Sequence, residues 1–346
     1  MRALLSRQPG APESLVVEDV AEPVVGPGQV RVAVRACAVN FPDVLIINDL
    51  YQYRPQRPFS PGAEVAGVVD AVGAGVARVV PGQRVLLSPL NHGGMAQKVV
   101  GDAQHCWGIP DAMPFEEAAA LLLTYGTSQH ALEDRAGLQA GETLLVLGAG
   151  GGVGLAAVEL GRAAGARVIA AASSDDKLSL ARECGAQACV RYPRGSLDKG
   201  AAKELTEQLK AACGKDGAQV IFDPVGGDYT EAALRCIAWQ GRHLVIGFPA
   251  GIAKLPLNLP LLKGCQVMGV FWGEFTRRAP QRHAANVARL MDLYQRRLIK
   301  PVVTERWPLE QGGTAIARLA SRAARGKIVV VVDEASSDLF RPRPSP

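Results

Sequence analysis

Residues 142–154 read ETLLVLGAGGGVG, and this stretch decides the fold. Thr143 to Leu147 is a continuous apolar run that stops at glycine, after which Val153, Ala157, Leu160 and Ala164 recur at helical spacing. The order is strand, tight turn, helix. The spacing of Gly148, Gly151 and Gly154 lets the strand turn sharply, the backbone approach an anion and the helix pack closely on the sheet. Free N–H groups at the helix start, at the positive end of its dipole, suit a pyrophosphate. A flexible glycine loop would need no such setting. Here RVIAAA (167–172) and the run 188–192 follow at strand-helix-strand distance, the context that marks a dinucleotide site.

The second strand indicates which dinucleotide. A site for the unphosphorylated cofactor commonly ends that strand in an acid that accepts from the ribose hydroxyls. This strand ends in Ala170, Ala171 and Ala172, followed by Ser173, Ser174, Asp175, Asp176 and Lys177. Two hydroxyls and an ammonium suit a phosphate dianion, and Tyr192 at the tip of the third strand adds a donor. NADPH is expected over NADH, with both aspartates directed to water as first-turn helix residues.

The 346 residues exceed one typical domain, and 48% apolar with 21% charged residues describe a soluble globular chain. Thirty-eight basic against 33 acidic residues leave only +5, scattered and without the basic, aromatic-interleaved runs of a nucleic-acid surface. No stretch approaches the roughly 20 apolar residues of a membrane span, and the first residues lack a signal-peptide core. A cytoplasmic protein is expected. Seven dispersed cysteines without C-x-x-C pairs read as reduced and mostly buried.

Before residue 100, β-type runs at 14–18, 29–38, 63–72, 84–88 and 94–100 are punctuated by Pro-Gly turns, which predicts a small antiparallel barrel. Residues 114–132 read as one helix leading to the nucleotide-binding region. Further strands are expected at 218–223, 242–247 and 266–272, with helices at 201–213 and 229–237, giving six strands of a doubly wound parallel sheet in an α/β chain. Residues 280–298 form an amphipathic helix, GKIVVVVD (326–333) a last strand that rejoins the barrel, and the polar, proline-rich 335–346 a disordered tail.

These elements, with AVNFPDVLI (38–46), PGAEVAGVV (61–69), GAGGGVGLAAVELGRAAGA (148–166), FDPVGG (222–227) and GVFWGEF (269–275), resemble the medium-chain dehydrogenase/reductase superfamily. The narrower likeness is to its zinc-independent quinone oxidoreductase branch, which includes zeta-crystallin. The resemblance implies a GroES-like barrel as catalytic domain, 1–122 plus 275–346, and a Rossmann domain, 123–274. Zinc-dependent relatives place Cys where Asn40 stands and His where Ala63 stands, and the stretch 88–107 offers only Cys106 among cysteines. A zinc site needs three or four converging donors, so no metal is expected, and His92 and His105 read as stray loop residues.

Hydride transfer to a conjugated carbonyl builds negative charge on oxygen that needs a hydrogen-bond donor and a proton. The resemblance assigns Asn40 to the nicotinamide ribose or substrate oxygen and Tyr51 to the substrate cleft, each against a plain alternative as turn former or packing residue. Leu45 stands where some quinone reductases carry a second Tyr, leaving solvent as a proton source, and Asp43 reads as orienting the Asn40 turn. Cofactor contacts are implied at Asn40, Thr127, Gly151, Gly152, Val153, Ser173, Ser174, Lys177, Tyr192, Gly247, Phe248, Phe271, Trp272 and Gly273. The sixth strand is also the implied homodimer edge. The reading is an NADPH-dependent quinone reductase. Its rivals are an enone or enoyl-thioester reductase with Arg54, Arg57, Arg277 and Arg278 as a basic rim, and a nucleotide-binding sensor or structural protein without catalysis.

Overall fold

The structure, a computed structural model, describes residues 1–89 and 92–332; the tail at 335–346 lies outside the described residues. The chain forms two units, residues 1–123 with 301–346 and residues 124–300. Helix Pro280–Gln295 therefore groups with the second unit, whereas the sequence-based boundary at 275 places it with the first.

In the first unit the long strand Gln29–Ala38 is the organiser. On one side it pairs antiparallel with Val65–Val72; on the other, Lys98–Asp102 takes its first half and Lys327–Val331 its last residues. Its alternating burial follows the period of a strand with one covered face. The last strand thus returns to the barrel, and it pairs in parallel with Val303–Pro308, a strand that the sequence reading did not expect. Strand Arg2–Leu5, strand Cys106–Gly108 and helices Phe41–Ile47 and Gly312–Ala320 were likewise not expected. A core of Val32, Val34, Ile46, Ile47, Val65, Leu87 and Met95, among others, fills the unit.

The second unit carries six parallel strands: Thr143–Val146, Arg167–Ala172, Ala188–Arg191, Ala218–Asp223, Ile237–Val245 and Gln266–Gly269. Their spatial order runs third, second, first, fourth, fifth, sixth, so the sheet winds outward both ways from Thr143–Val146. The sixth strand is shorter than expected. It stops at Gly269, and Trp272–Arg278 is a helix in which Glu274 pairs with Arg277 and Arg278 one turn on.

The expected helix over 114–132 is broken into Phe115–Ala119 and Leu122–Gln129, followed by a wide π turn at His130–Arg135. The break has a partner: Glu64 Oε2 accepts from the Leu123 N–H at 2.8 Å, satisfying a donor that an unbroken helix would have used internally. Just beyond, Tyr125 donates its hydroxyl to Glu159 Oε2 at 2.5 Å, and the same oxygen accepts from the Lys300 N–H at 3.0 Å. Both chain crossings of the second unit are tied to one carboxylate, whose pKa burial pushes upward.

Candidate functional site

Of the expected cofactor residues, Gly151, Ser173, Tyr192, Gly247 and Phe271 follow the carboxyl ends of the first, second, third, fifth and sixth parallel strands. Gly148, at φ +59, turns the first strand, and Gly151 caps the helix Gly152–Ala163, so Gly152 and Val153 present its free N–H groups. Two glycines are required by contact. A Cβ on Gly154 would lie 2.3 Å from Gly148 O, and one on Gly150 would lie 2.4 Å from the Lys177 Cβ. The Lys177 stem therefore runs across the turn. Burial, and then Arg194, hold its pKa below the ordinary lysine value.

Ser173 and Ser174 follow the second strand, Ser174 at the head of helix Asp175–Glu183, and Tyr192 follows the third, its ring tilted against Tyr229 at 4.8 Å. Arg194 Nε donates to Ser173 Oγ at 3.4 Å, which adds a second cation that the sequence reading did not single out. Its signal was present: Arg194 lies two residues past Tyr192, on the turn leaving the third strand. Asp175 is turned outward and engaged by Arg191. The loop after the fourth strand closes beneath the glycines. Asp223 accepts from the Val225 and Gly226 N–H groups, Thr230 and His243, and Val225 meets the Gly148 turn.

Thr127 is half-buried on helix Leu122–Gln129, where neighbouring Ser128 donates to Val153 O at 2.9 Å. Gly247 and the exposed Phe248 follow the fifth strand, and exposed Phe271 follows the sixth. Trp272 packs instead. Its indole covers Gly126 and meets His283 edge-on. Gly273 lies within the following helix and donates no strand end.

In the first unit a buried polar cluster surrounds Asn40. Its Nδ2 donates to Glu64 Oε1 at 2.8 Å and to Ala38 O at 3.2 Å, while Oδ1 accepts from Lys327 Nζ at 2.5 Å. Lys327 Nζ also donates to Glu64 Oε1 and to Val39 O, each at 3.1 Å. Both amide hydrogens are thereby used, so Asn40 in this arrangement is a held group rather than a free donor. Neither Glu64 nor Lys327 was singled out from the sequence. Both were legible only as ordinary charges inside PGAE and GKIVV, and their meeting is long-range.

Asp43 accepts from the Asn40 N–H at 2.7 Å and the Gly62 N–H at 3.0 Å. Burial nevertheless raises it to about 7, against the opposing pull of those donors. Tyr51, half-buried against the core, is pushed up by burial and by the Asp43 charge, which keeps its phenol a proton donor. The arginines of the expected basic rim are largely engaged. Arg57 bonds Asp49 and Ile47 O, and Glu274 takes Arg277 and Arg278. Cys106, where a metal ligand was weighed, is pushed by burial up to about 12. Among the described residues no group of three or more His, Cys, Asp and Glu side chains could hold a metal ion.

Comparison with known proteins decides the family. The model for the alcohol dehydrogenase GroES-like domain matches residues 26–129, and that for the zinc-binding dehydrogenase matches residues 152–291. Quinone oxidoreductase-like protein 2 of Bos taurus is 39% identical over 91% of this chain and 88% of its own. The chain belongs to the medium-chain dehydrogenase/reductase superfamily. Among solved members of this superfamily, the quinone oxidoreductase of Escherichia coli, complexed with NADPH, superposes with a TM-score of 0.87 at 26% identity, covering 96% of this chain and 100% of that one. A Mycobacterium abscessus protein described as a "probable oxidoreductase" gives 0.83 at 34% identity, covering 96% of this chain and 99% of that one. The two matched models account for the two-part organisation of this medium-chain reductase, a GroES-like unit followed by a Rossmann sheet.

Proposed function

We propose that this chain is an NADPH-dependent, zinc-free oxidoreductase acting on a quinone or a similar conjugated carbonyl. The observation that carries it is the placement of Ser173, Lys177, Tyr192 and Arg194 just past the tips of the second and third strands, with Asp175 and Asp176 exposed and Asp175 engaged by Arg191. Two cations and two hydroxyls suit the 2′-phosphate, and the Gly150 turn, held against the Lys177 stem, fits a pyrophosphate at the helix start. NADPH, when bound, supplies the hydride. The chain holds its phosphates through the N–H groups of 151–153 and lines the carboxyl strand edge with Thr127, Gly247, Phe248 and Phe271. Tyr51 serves as proton donor to the substrate oxygen, with Asp43 behind it and Asn40 fixing the local backbone.

The zinc-free reading rests on donor chemistry. The oxygens of Asn40 and Glu64 already hold the Lys327 ammonium, so a cation of this chain's own stands among them. The seven free cysteines suit the cytosol, where thiols stay reduced. No helix among the described residues is long and apolar enough to cross a membrane. A second copy of the chain is the fitting partner for the open edge at Gln266–Gly269, which sits beside exposed Trp239, Leu261 and Leu262.

The test is NADPH oxidation at saturating cofactor, run in parallel with a small quinone and an enoyl-CoA and repeated with NADH. Quinone-dependent turnover that prefers NADPH supports the proposal. Turnover with the enoyl-CoA alone replaces it with thioester reduction; tight NADPH binding without turnover replaces it with a sensor.

A further inference from the structure

Cys213 and Cys236 take no part in the nucleotide edge. Cys213 ends helix Lys199–Cys213, and Cys236 immediately precedes strand Ile237–Val245. Both are buried, and their sulfurs stand 3.9 Å apart in a hydrogen bond. All seven cysteines are free thiols. Cys236 lines an open depression of about 540 Å³ together with Gly214 and the cations Lys210, Lys215, Arg235 and Lys263, against two carboxylates, Glu207 and Asp216. The approach to Cys236 is therefore wide and net positive, with the Cys213 sulfur 3.9 Å behind it. The backbone beside it is built to yield: Gly214 at φ +83 and Gly217 at φ +76 flank the turn that leaves Cys213.

We propose that Cys213 and Cys236 form a redox modification site, a dithiol that hydrogen peroxide closes to a disulfide through this depression. Closing needs the sulfurs to approach to about 2.05 Å, a movement the glycine turn can absorb. Cys213 reacts first. Its hydrogen bond with Cys236, and then the Arg167 guanidinium, lower its pKa, whereas that bond and burial raise Cys236, whose own thiol donates to Ala233 O at 2.9 Å, well above the ordinary thiol. Arg167 also donates to the Ala212 and Cys213 carbonyls, offsetting the negative end of the helix. The Cys213 thiolate attacks one peroxide oxygen, the O–O bond breaks, and the departing hydroxide takes up the thiol proton as water. The Cys236 sulfur then attacks the sulfenic sulfur of Cys213, the S–O bond breaks, and a second water leaves with the Cys236 proton. Two thiols lose two electrons, and one peroxide becomes two waters.

Full-length protein exposed to graded hydrogen peroxide, quenched in acid, alkylated and digested with trypsin gives the test. The expected product is peptide 211–215 joined to peptide 236–242, two hydrogens lighter than the sum, with two alkylatable thiols lost and both regained in dithiothreitol. Cys213→Ser abolishes the joined peptide, and Cys189→Ser keeps it. Full alkylation of both peptides at oxidant levels that already modify Cys189 or Cys265 overturns the proposal, as does sulfinic acid at Cys213 beside an intact Cys236. The wild-type digest decides the matter even if a variant fails to fold.

Discussion

Lys327 Nζ lies 2.5 Å from Asn40 Oδ1, a bond between residues 287 apart in the chain that fastens the last strand to the turn opening helix Phe41–Ile47. It also makes a 3.1 Å ion pair with Glu64, both partners almost wholly buried. Lys327→Met strands a buried carboxylate, which typically costs about 3–5 kcal/mol. Thermal unfolding should show a large loss for Lys327→Met, partly restored in the double variant with Glu64→Gln. An equal loss in both would mean that the pair contributes only packing.

Lys177→Ala and Arg194→Ala should each raise the NADPH dissociation constant by about 10- to 100-fold, the scale of one or two charge-assisted hydrogen bonds, and leave NADH within a few-fold. Titration of cofactor fluorescence distinguishes the two. Parallel loss of both cofactors would place these side chains outside the 2′-phosphate site.

Gly154→Ala puts a methyl 2.3 Å from a backbone carbonyl, and no rotamer relieves it. The turn must open. Cofactor affinity should therefore collapse while the first unit's buried core stays protected in hydrogen exchange. Unchanged affinity would show that the turn is not the pyrophosphate seat.

Asp43 gives a pH signature. Its pKa in the folded chain, about 7, lies above the ordinary 3.8, so the folded state keeps a proton the unfolded chain has shed. This contribution is complete below pH 3.8 and is lost as pH rises through 7. Between those limits it changes stability by about 1.4 kcal/mol per pH unit. Urea unfolding between pH 5 and pH 8 should show wild type losing stability relative to Asp43→Asn as pH rises. A constant difference would mean that Asp43 is already ionised in the fold.

Val267→Lys, on the open edge strand, should shift sedimentation from dimer to monomer without lowering NADPH affinity. A wild-type protein that sediments as a monomer removes the dimer from the proposal.

Local chemistry made the parallel sheet legible. The apolar runs, the glycine turn and the helical periods after it each depend on neighbouring residues, and the six strands fell close to where those patterns placed them. Helix Phe41–Ile47 was hidden because seven residues starting Phe-Pro-Asp carry too short a period to separate from a turn. Residues 270–272 read as the end of the sixth strand because they suit a pleated surface, yet the strand stops at Gly269 and Trp272 opens a helix in which Glu274 pairs with Arg277 and Arg278. Around Asn40 the limit was different. No pattern near Glu64 or Lys327 announces the other, since their meeting follows from the long-range pairing of strand Gln29–Ala38 with Val65–Val72 on one side and Lys327–Val331 on the other.

Glu159 holds Tyr125 just after the chain enters the second unit and Lys300 just before it leaves. Entry and exit therefore sit within reach of one side chain, which makes residues 124–300 an inset cassette with adjoining ends. Two cuts at neighbouring points would lift the nucleotide-binding module out of its host, and a short splice could close the gap. Grafting such a module between barrels calls for no redesign of its sheet, only for preserving the carboxylate that keeps its doorway narrow.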